Sequence, residues 1–240
     1  MKHGYWGALL ALAAGISAAP SQASAEPFVL RYDPGYMFPE QEGWERHTHD
    51  PEGLLSREVD GTVLRLDTSG SLSMPDFYYA DCPGLDPTLG EELRVAWRMR
   101  TLETQPDYLW SDVGITVSGL SSGYAVITVG PDYVSQEYGQ GGLPEHVYYF
   151  TAGAMHQFEV RTQDMATFSL YVDETLAFAS NFDRPAETGP FRVYFGDAVS
   201  GRRSVSEWDY VQVAVVPEPA GLCAAAVALL VVLQVRKGIR

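Results

Sequence analysis

Apolar and polar residues alternate with a period of two along much of this chain, as strands do when one face is buried and the other is wet. From Glu92 to Thr101, Val95, Trp97 and Met99 share one face while Arg94, Arg98 and Arg100 share the other. Val113, Ile115 and Val117 repeat the pattern, as do Ala125, Ile127 and Val129. Phe158 and Val160 alternate with Glu159 and Arg161, and Phe168, Leu170 and Val172 with Ser169 and Tyr171. Phe191, Val193 and Phe195 make a further strand, and a last one runs from Glu207 to Val215. Helical periodicity of useful length and internal repeats are absent. About a dozen short strands with turns at intervals of roughly 8 to 12 residues predict an all-β fold: an antiparallel two-sheet β-sandwich or jelly roll.

Between these runs, Gly139-Gln140-Gly141-Gly142-Leu143-Pro144 follows Tyr133 and Tyr138 and predicts a loop, the kind of segment that carries binding on a β scaffold. Asp173-Glu174 predicts a tight turn, although a type I′ hairpin prefers Asp-Gly, because glycine takes positive φ at little cost.

The two ends break the alternation. Met1-Lys2-His3 is followed by an apolar run from Trp6 to Ile16 and by the small residues Ala23 and Ala25, so residues 1–25 read as a signal peptide cleaved before Glu26. At the other end Val216-Pro217-Glu218-Pro219 precedes an apolar run from Ala220 to Val235 and the basic close Arg236-Lys237-Gly238-Ile239-Arg240. Proline should end the domain there, leaving 26–215 as the extracellular body and 216–240 as a transmembrane helix with its basic end in the cytoplasm. The last 25 residues resemble the PEP-CTERM sorting signal. That resemblance implies recognition by an exosortase-type enzyme, cleavage near Pro217 to Pro219, and delivery to the cell envelope or an extracellular polysaccharide matrix.

Composition sharpens the picture. Aromatic residues make up 12% of the chain, which favours strands over long helices. Both lysines lie in the ends, and between Glu26 and Val216 there are 12 arginines against 30 acidic residues, a balance that repels nucleic acid. Cys82 and Cys223 are the two cysteines, one in the body and one in the terminal apolar run, so no disulfide framework is expected.

From His156 to Val215 the chain resembles the concanavalin-like and laminin-G-like jelly rolls. The residues that carry the likeness are Phe158-Glu159-Val160-Arg161, Leu170-Tyr171-Val172-Asp173, Val193-Tyr194-Phe195-Gly196-Asp197 and Trp208-Asp209-Tyr210-Val211. These are scaffold residues, and a scaffold does not transmit activity. In that superfamily calcium held by loop carboxylates would be natural, and Asp197 and Asp209 are the candidates.

A jelly-roll glucanase would need Glu-x-Asp-x-Glu along one strand; Glu207-Trp208-Asp209-Tyr210-Val211 supplies two members and then fails, with Val211, Val213 and Val215 continuing that face as core. His47-Thr48-His49-Asp50 lacks the further ligands that zinc requires. No nucleophile elbow or phosphate loop appears. For a sugar site the chain offers Tyr78-Tyr79, Trp110, Tyr133, Tyr138 and Tyr148-Tyr149, of which Tyr133, Tyr138 and Trp110 are the chosen candidates, and Arg94, Arg98 and Arg100 could meet an anionic polysaccharide. The expectation is a lectin-like polysaccharide-binding surface protein without catalytic residues. A matrix or adhesion protein without a defined ligand is the alternative, and a polysaccharide-active glycoside hydrolase the third.

Overall fold

The computed structural model describes residues 28–48, 50, 53–70, 75–82, 91–104, 113–119, 123–136, 146–182, 190–197 and 204–217. The expected signal peptide and the apolar run of the tail lie outside them, as do Trp110, Tyr138, His49 and the glycine-rich loop. Among the described residues no helix is long and apolar enough to cross a membrane.

Fifteen strands occur among those residues. They are β1 (Phe28–Tyr32), β2 (Glu45–Thr48), β3 (Ser56–Val59), β4 (Leu64–Asp67), β5 (Asp76–Asp81), β6 (Glu91–Thr104), β7 (Val113–Gly119) and β8 (Gly123–Val129), then β9 (Tyr133–Gln136), β10 (His146–Tyr149), β11 (His156–Thr162), β12 (Thr167–Val172), β13 (Thr175–Asn181), β14 (Arg192–Asp197) and β15 (Ser204–Pro217). A single 3-10 turn, Pro39–Glu42, is the helical element among them. One sheet has the order β13-β12-β11-β6-β15-β4-β3, with β1 also paired to β15; the other runs β10-β9-β8-β7-β14-β5-β2. Every pairing is antiparallel. The two-sheet antiparallel fold is therefore as the alternation predicts.

The alternation also places the core. Leu93, Val95, Trp97 and Met99 of β6 are fully buried, and Phe158, Val160, Leu170 and Val172 meet them from β11 and β12. Phe195 lies at the centre, in edge contact with Trp44 (4.8 Å), stacked on Tyr78 (5.2 Å) and tilted against Trp208 (5.1 Å) of the opposite sheet. Cys82 is buried, and burial pushes its thiol up to about 11.

One expectation needs correction. In β15 the register slips between Trp208 and Tyr210. A bulge places one extra residue in the strand and reverses which side chains face in. Ser206 and Trp208 point to the core before it, Val211 and Val213 after it, so Glu207 is not on the valine face. β15 ends at Pro217, opposite Glu91. Proline is tolerated there because a strand's final residue can spare its donor. The turn expected at Asp173-Glu174 is present, with φ of 48° and 66° and no glycine.

Candidate functional site: an aromatic face on the seven-stranded sheet

Because Tyr78, Ala80, Val193 and Phe195 point to the core, the residues between them, Phe77, Tyr79 and Tyr194, point outward. Register sets these rings side by side. Glu45 on β2, Tyr79 on β5, Tyr194 on β14 and Thr116 on β7 form one row across four strands, and His47, Phe77, Gly196 and Gly114 form the next. The Tyr79 and Tyr194 rings lie 5.9 Å apart, as do Phe77 and Tyr194, and His47 stacks on Phe77 at 4.9 Å. The result is a continuous, partly buried aromatic surface over three strands.

Two glycines leave the second row open beside Phe77. At Gly114 an added Cβ would sit 1.9 Å from the Ile127 carbonyl oxygen. Gly196 has φ of +122°, a conformation that side chains rarely adopt, and its Cβ would meet the Asp76 carbonyl oxygen at 2.7 Å. Close strand packing thus forces a gap into the face.

Polar groups rim the rings. The Tyr79 hydroxyl donates to Glu45, and that bond to a carboxylate is the first reason its phenol is raised above the usual value. Arg192 donates to Asp81, which raises the guanidinium further, and also to the Tyr194 hydroxyl at 3.2 Å. Its guanidinium lies over Tyr79 at 4.8 Å and Tyr194 at 5.7 Å from the ring centres. Among the described residues the face therefore carries two carboxylates, Glu45 and Asp81, and one arginine, Arg192, already held by Asp81. Rings with polar groups fixed among them suit a ligand that presents both C–H groups and hydroxyls.

The structure places the sequence candidates differently. Tyr133 is 6% exposed, with its ring packed over Gly130, so it has no face to offer a sugar. Tyr138 and Trp110 lie outside the described residues. Tyr78 is core, whereas its neighbour Tyr79 is on the aromatic face. The arginine stripe is matched by carboxylates: Arg94 with Glu92 at 2.6 Å, Arg98 with Asp209 at 2.6 Å, and Arg100 with Glu207 at 2.7 Å. It therefore lacks the unpaired charge that an anionic polysaccharide would need. Those contacts also occupy Glu207 and Asp209 as ion-pair partners.

Asp197 and Asp209 do not form a calcium site together. Asp197, 1% exposed, accepts hydrogen bonds from Thr68 and Ser204, whereas Asp209 pairs with Arg98 on the outer face of the other sheet. Among the described residues no group of three or more His, Cys, Asp or Glu side chains could hold a metal ion. Tyr194 and Phe77 are the residues sequence reasoning missed; the signal for both was their alternation with buried neighbours.

No family model matches the chain, and no curated protein matches it. Solved structures do. A carbohydrate esterase of a Shiga toxin-encoding bacteriophage is similar over 80% of this chain and 100% of its own, with 11% identity and a TM-score of 0.60. An endo-1,3-β-glucanase from Streptomyces sioyaensis is similar over 83% and 100%, with 13% identity and a TM-score of 0.51. The cellulose-induced protein Cip1 is similar over 78% and 96%, with 11% identity and a TM-score of 0.51. At such identities the likeness is one of fold, and the class it defines is the two-sheet antiparallel β-sandwich.

Proposed function

We propose that the chain is a carbohydrate-binding protein whose aromatic face takes a neutral polysaccharide. The observation that carries this reading is the contiguous Phe77, Tyr79 and Tyr194 surface, rimmed by fixed hydrogen-bonding groups on rigid strands. The same fold is used by proteins described as a carbohydrate esterase and a glucanase, which supports a glycan as ligand. Among the described residues, two rim carboxylates stand against one paired arginine, a balance that favours neutral over acidic chains because like charges repel.

Export, cleavage at both ends and an exosortase partner belong to the same proposal. Their support is the signal-like Ala23 and Ala25, the Pro217-Glu218-Pro219 motif, the apolar run and the basic Arg236, Lys237 and Arg240. Such a protein would work at the cell surface or in the polysaccharide around it.

The test is binding of the full chain to an array of neutral and acidic glycans, beside Tyr194→Ala. Binding to neutral glycans that weakens in the variant supports the reading. Absence of glycan binding overturns it and leaves a structural matrix protein.

A further inference from the structure

A second hollow lies on the outer face of the other sheet. On β11 and β12 the buried residues are Phe158, Val160, Leu170 and Val172, so Glu159, Arg161, Ser169 and Tyr171 face away from the core. Register aligns Arg161, Ser169 and Ala179 across β11, β12 and β13, and one step along aligns Glu159, Tyr171 and Leu176. Small side chains at Ser169 and Ala179 thus form a floor beside a tall wall. That wall is Arg161 lying over the Tyr171 ring at 4.2 Å, fixed by two hydrogen bonds to Glu159 at 2.9 and 3.0 Å. On the other side stands the turn between β11 and β12, in which Asp164 accepts from the amides of Ala166 and Thr167, both at 2.9 Å.

The cleft between wall and turn has a volume of about 530 Å³. That falls within the roughly 300–1,000 Å³ usual for small-molecule sites. Its lining is mainly hydroxyl, amide and charged: Thr167, Ser169, Ser180 and Asn181, with Tyr171 and the imidazole of His146 as rings. Among the described residues, Glu92 and Asp164 border it against one arginine, Arg161, whose guanidinium is already engaged by Glu159. A hydroxyl-rich, uncharged ligand of one ring fits this chemistry; an acidic one does not.

We propose that this cleft is a second carbohydrate site, taking one neutral hexopyranose unit, and that the protein bridges two glycan chains. The cleft lies over β11, β12 and β13 at one edge of its sheet, where it reaches His146 of β10, whereas the aromatic face lies on β14, β5 and β2 at the opposite end of the seven-stranded sheet, so the two are well separated. Two sites so placed cannot serve one short chain, and they cross-link separate ones. The bridging rests on the aromatic-face reading; the cleft itself does not.

The experiment titrates the full chain with the methyl glycosides of glucose, galactose and mannose, and separately follows the turbidity of a neutral polysaccharide bound by the aromatic face. Ser169→Trp and Ala179→Phe each fill the cleft from the outer face and leave the core untouched. One glycoside should bind at millimolar concentration, both variants should lose about tenfold or more of that affinity, and both should abolish turbidity while polysaccharide binding persists. Tyr194→Ala should abolish turbidity but keep glycoside binding. The cleft proposal is overturned if glycosides bind the filled variants as they bind the parent, or if none binds while the polysaccharide does. Loss of polysaccharide binding alone would instead overturn the aromatic-face reading and the bridging with it.

Discussion

Ser204 Oγ donates to the carboxylate of Asp197 at 2.8 Å, and in doing so ties the first residue of β15 in one sheet to the last residue of β14 in the other. Thr68 completes the knot: its amide donates to the Ser204 carbonyl at 2.9 Å, and its hydroxyl donates to Asp197. All three side chains are 2% exposed or less, so each polar atom depends on the others. Replacing Asp197 by alanine removes the acceptor that both hydroxyls use and leaves them each other at 3.0 Å and the Ser204 carbonyl at 3.2 Å, so the loss is that of a charged hydrogen-bond acceptor, about 1–3 kcal/mol. Asp197→Ala should therefore unfold at lower urea concentration with an unchanged denaturant slope, and Asp197→Asn should lose less. An unchanged midpoint would mean that the knot does not hold the sheets.

The β12–β13 turn carries a stabilising substitution. Glu174 sits at φ 66°, a backbone conformation that costs a side chain energy and glycine little. Glu174→Gly should raise stability by about 0.5 kcal/mol, once the extra freedom of glycine in the unfolded chain is subtracted. Asp173 should not tolerate the same change, because its carboxylate binds the Gln157 amide at 3.0 Å and the His156 ring at 2.6 Å. Thermal melts of the two variants should move in opposite directions.

On the aromatic face, Tyr79→Ala and Tyr194→Ala should each weaken glycan binding about tenfold, since covering an aromatic side chain contributes roughly 1.5–3 kcal/mol. Tyr149→Ala is the control: that ring is 63% exposed on the edge strand β10, away from the face. Equal losses at all three positions would show that the tyrosines act without regard to place.

Alkali should unfold the protein through groups that burial keeps protonated. Burial pushes the Cys82 thiol up to about 11 from 9.0, and the Tyr78 and Tyr210 phenols up to about 12 from 10.0. A raised value means that the unfolded chain loses its proton first. The stability these groups contribute is complete below pH 9 and is lost as pH rises through 9 to 12. Cys82 in the native protein should likewise resist alkylation at pH 8 until denaturant is added.

Acid should act through the turn carboxylates. Asp164 is held below its ordinary 3.8 chiefly by the Thr167 amide. At Asp173 burial acts upward, but the Gln157 amide and the His156 ring outweigh it and the carboxyl is again lowered. A lowered carboxyl contributes stability above the unfolded value, which is lost as pH falls below about 3.8 and through the folded value. Stability measured at pH 5 and pH 3 should fall in the native protein and fall less in Asp164→Asn. Parallel curves would rule out that contribution.

The faces of β6, β11 and β12 are legible from alternation alone, because a strand with one wet side has no other way to sort Trp97 from Arg98 or Leu170 from Tyr171. Events that depend on distant partners are not. Nothing in Glu207-Trp208-Asp209-Tyr210 announces the bulge, which is set by how β15 fits β6 and β4 on its two sides. Tyr133 looks like a loop ligand until Gly130 supplies the space in which its ring is buried. All four residues of β9 are buried, so period two has no contrast to display there. Tyr79 and Tyr194 are each visible as outward residues. Their meeting requires a pairing between β5 and β14 across more than a hundred residues, which local pattern does not encode.

β15 has a mechanical consequence. Over 14 residues it is paired along one side with β6 and along the other with β1 and β4. Force applied to the chain beyond Pro217 enters this strand end-on, along its axis, whereas its hydrogen bonds lie across that axis. Such a pull shears the rungs of the ladder together, where a sideways pull would open them one at a time like a zip. Because Phe28 lies opposite Ala214, the chain also leaves the fold at its start beside the point where the load arrives. A pull at either end of the described fold is thus borne by the best-paired strand of the molecule, and the outer faces of the two sheets remain at rest.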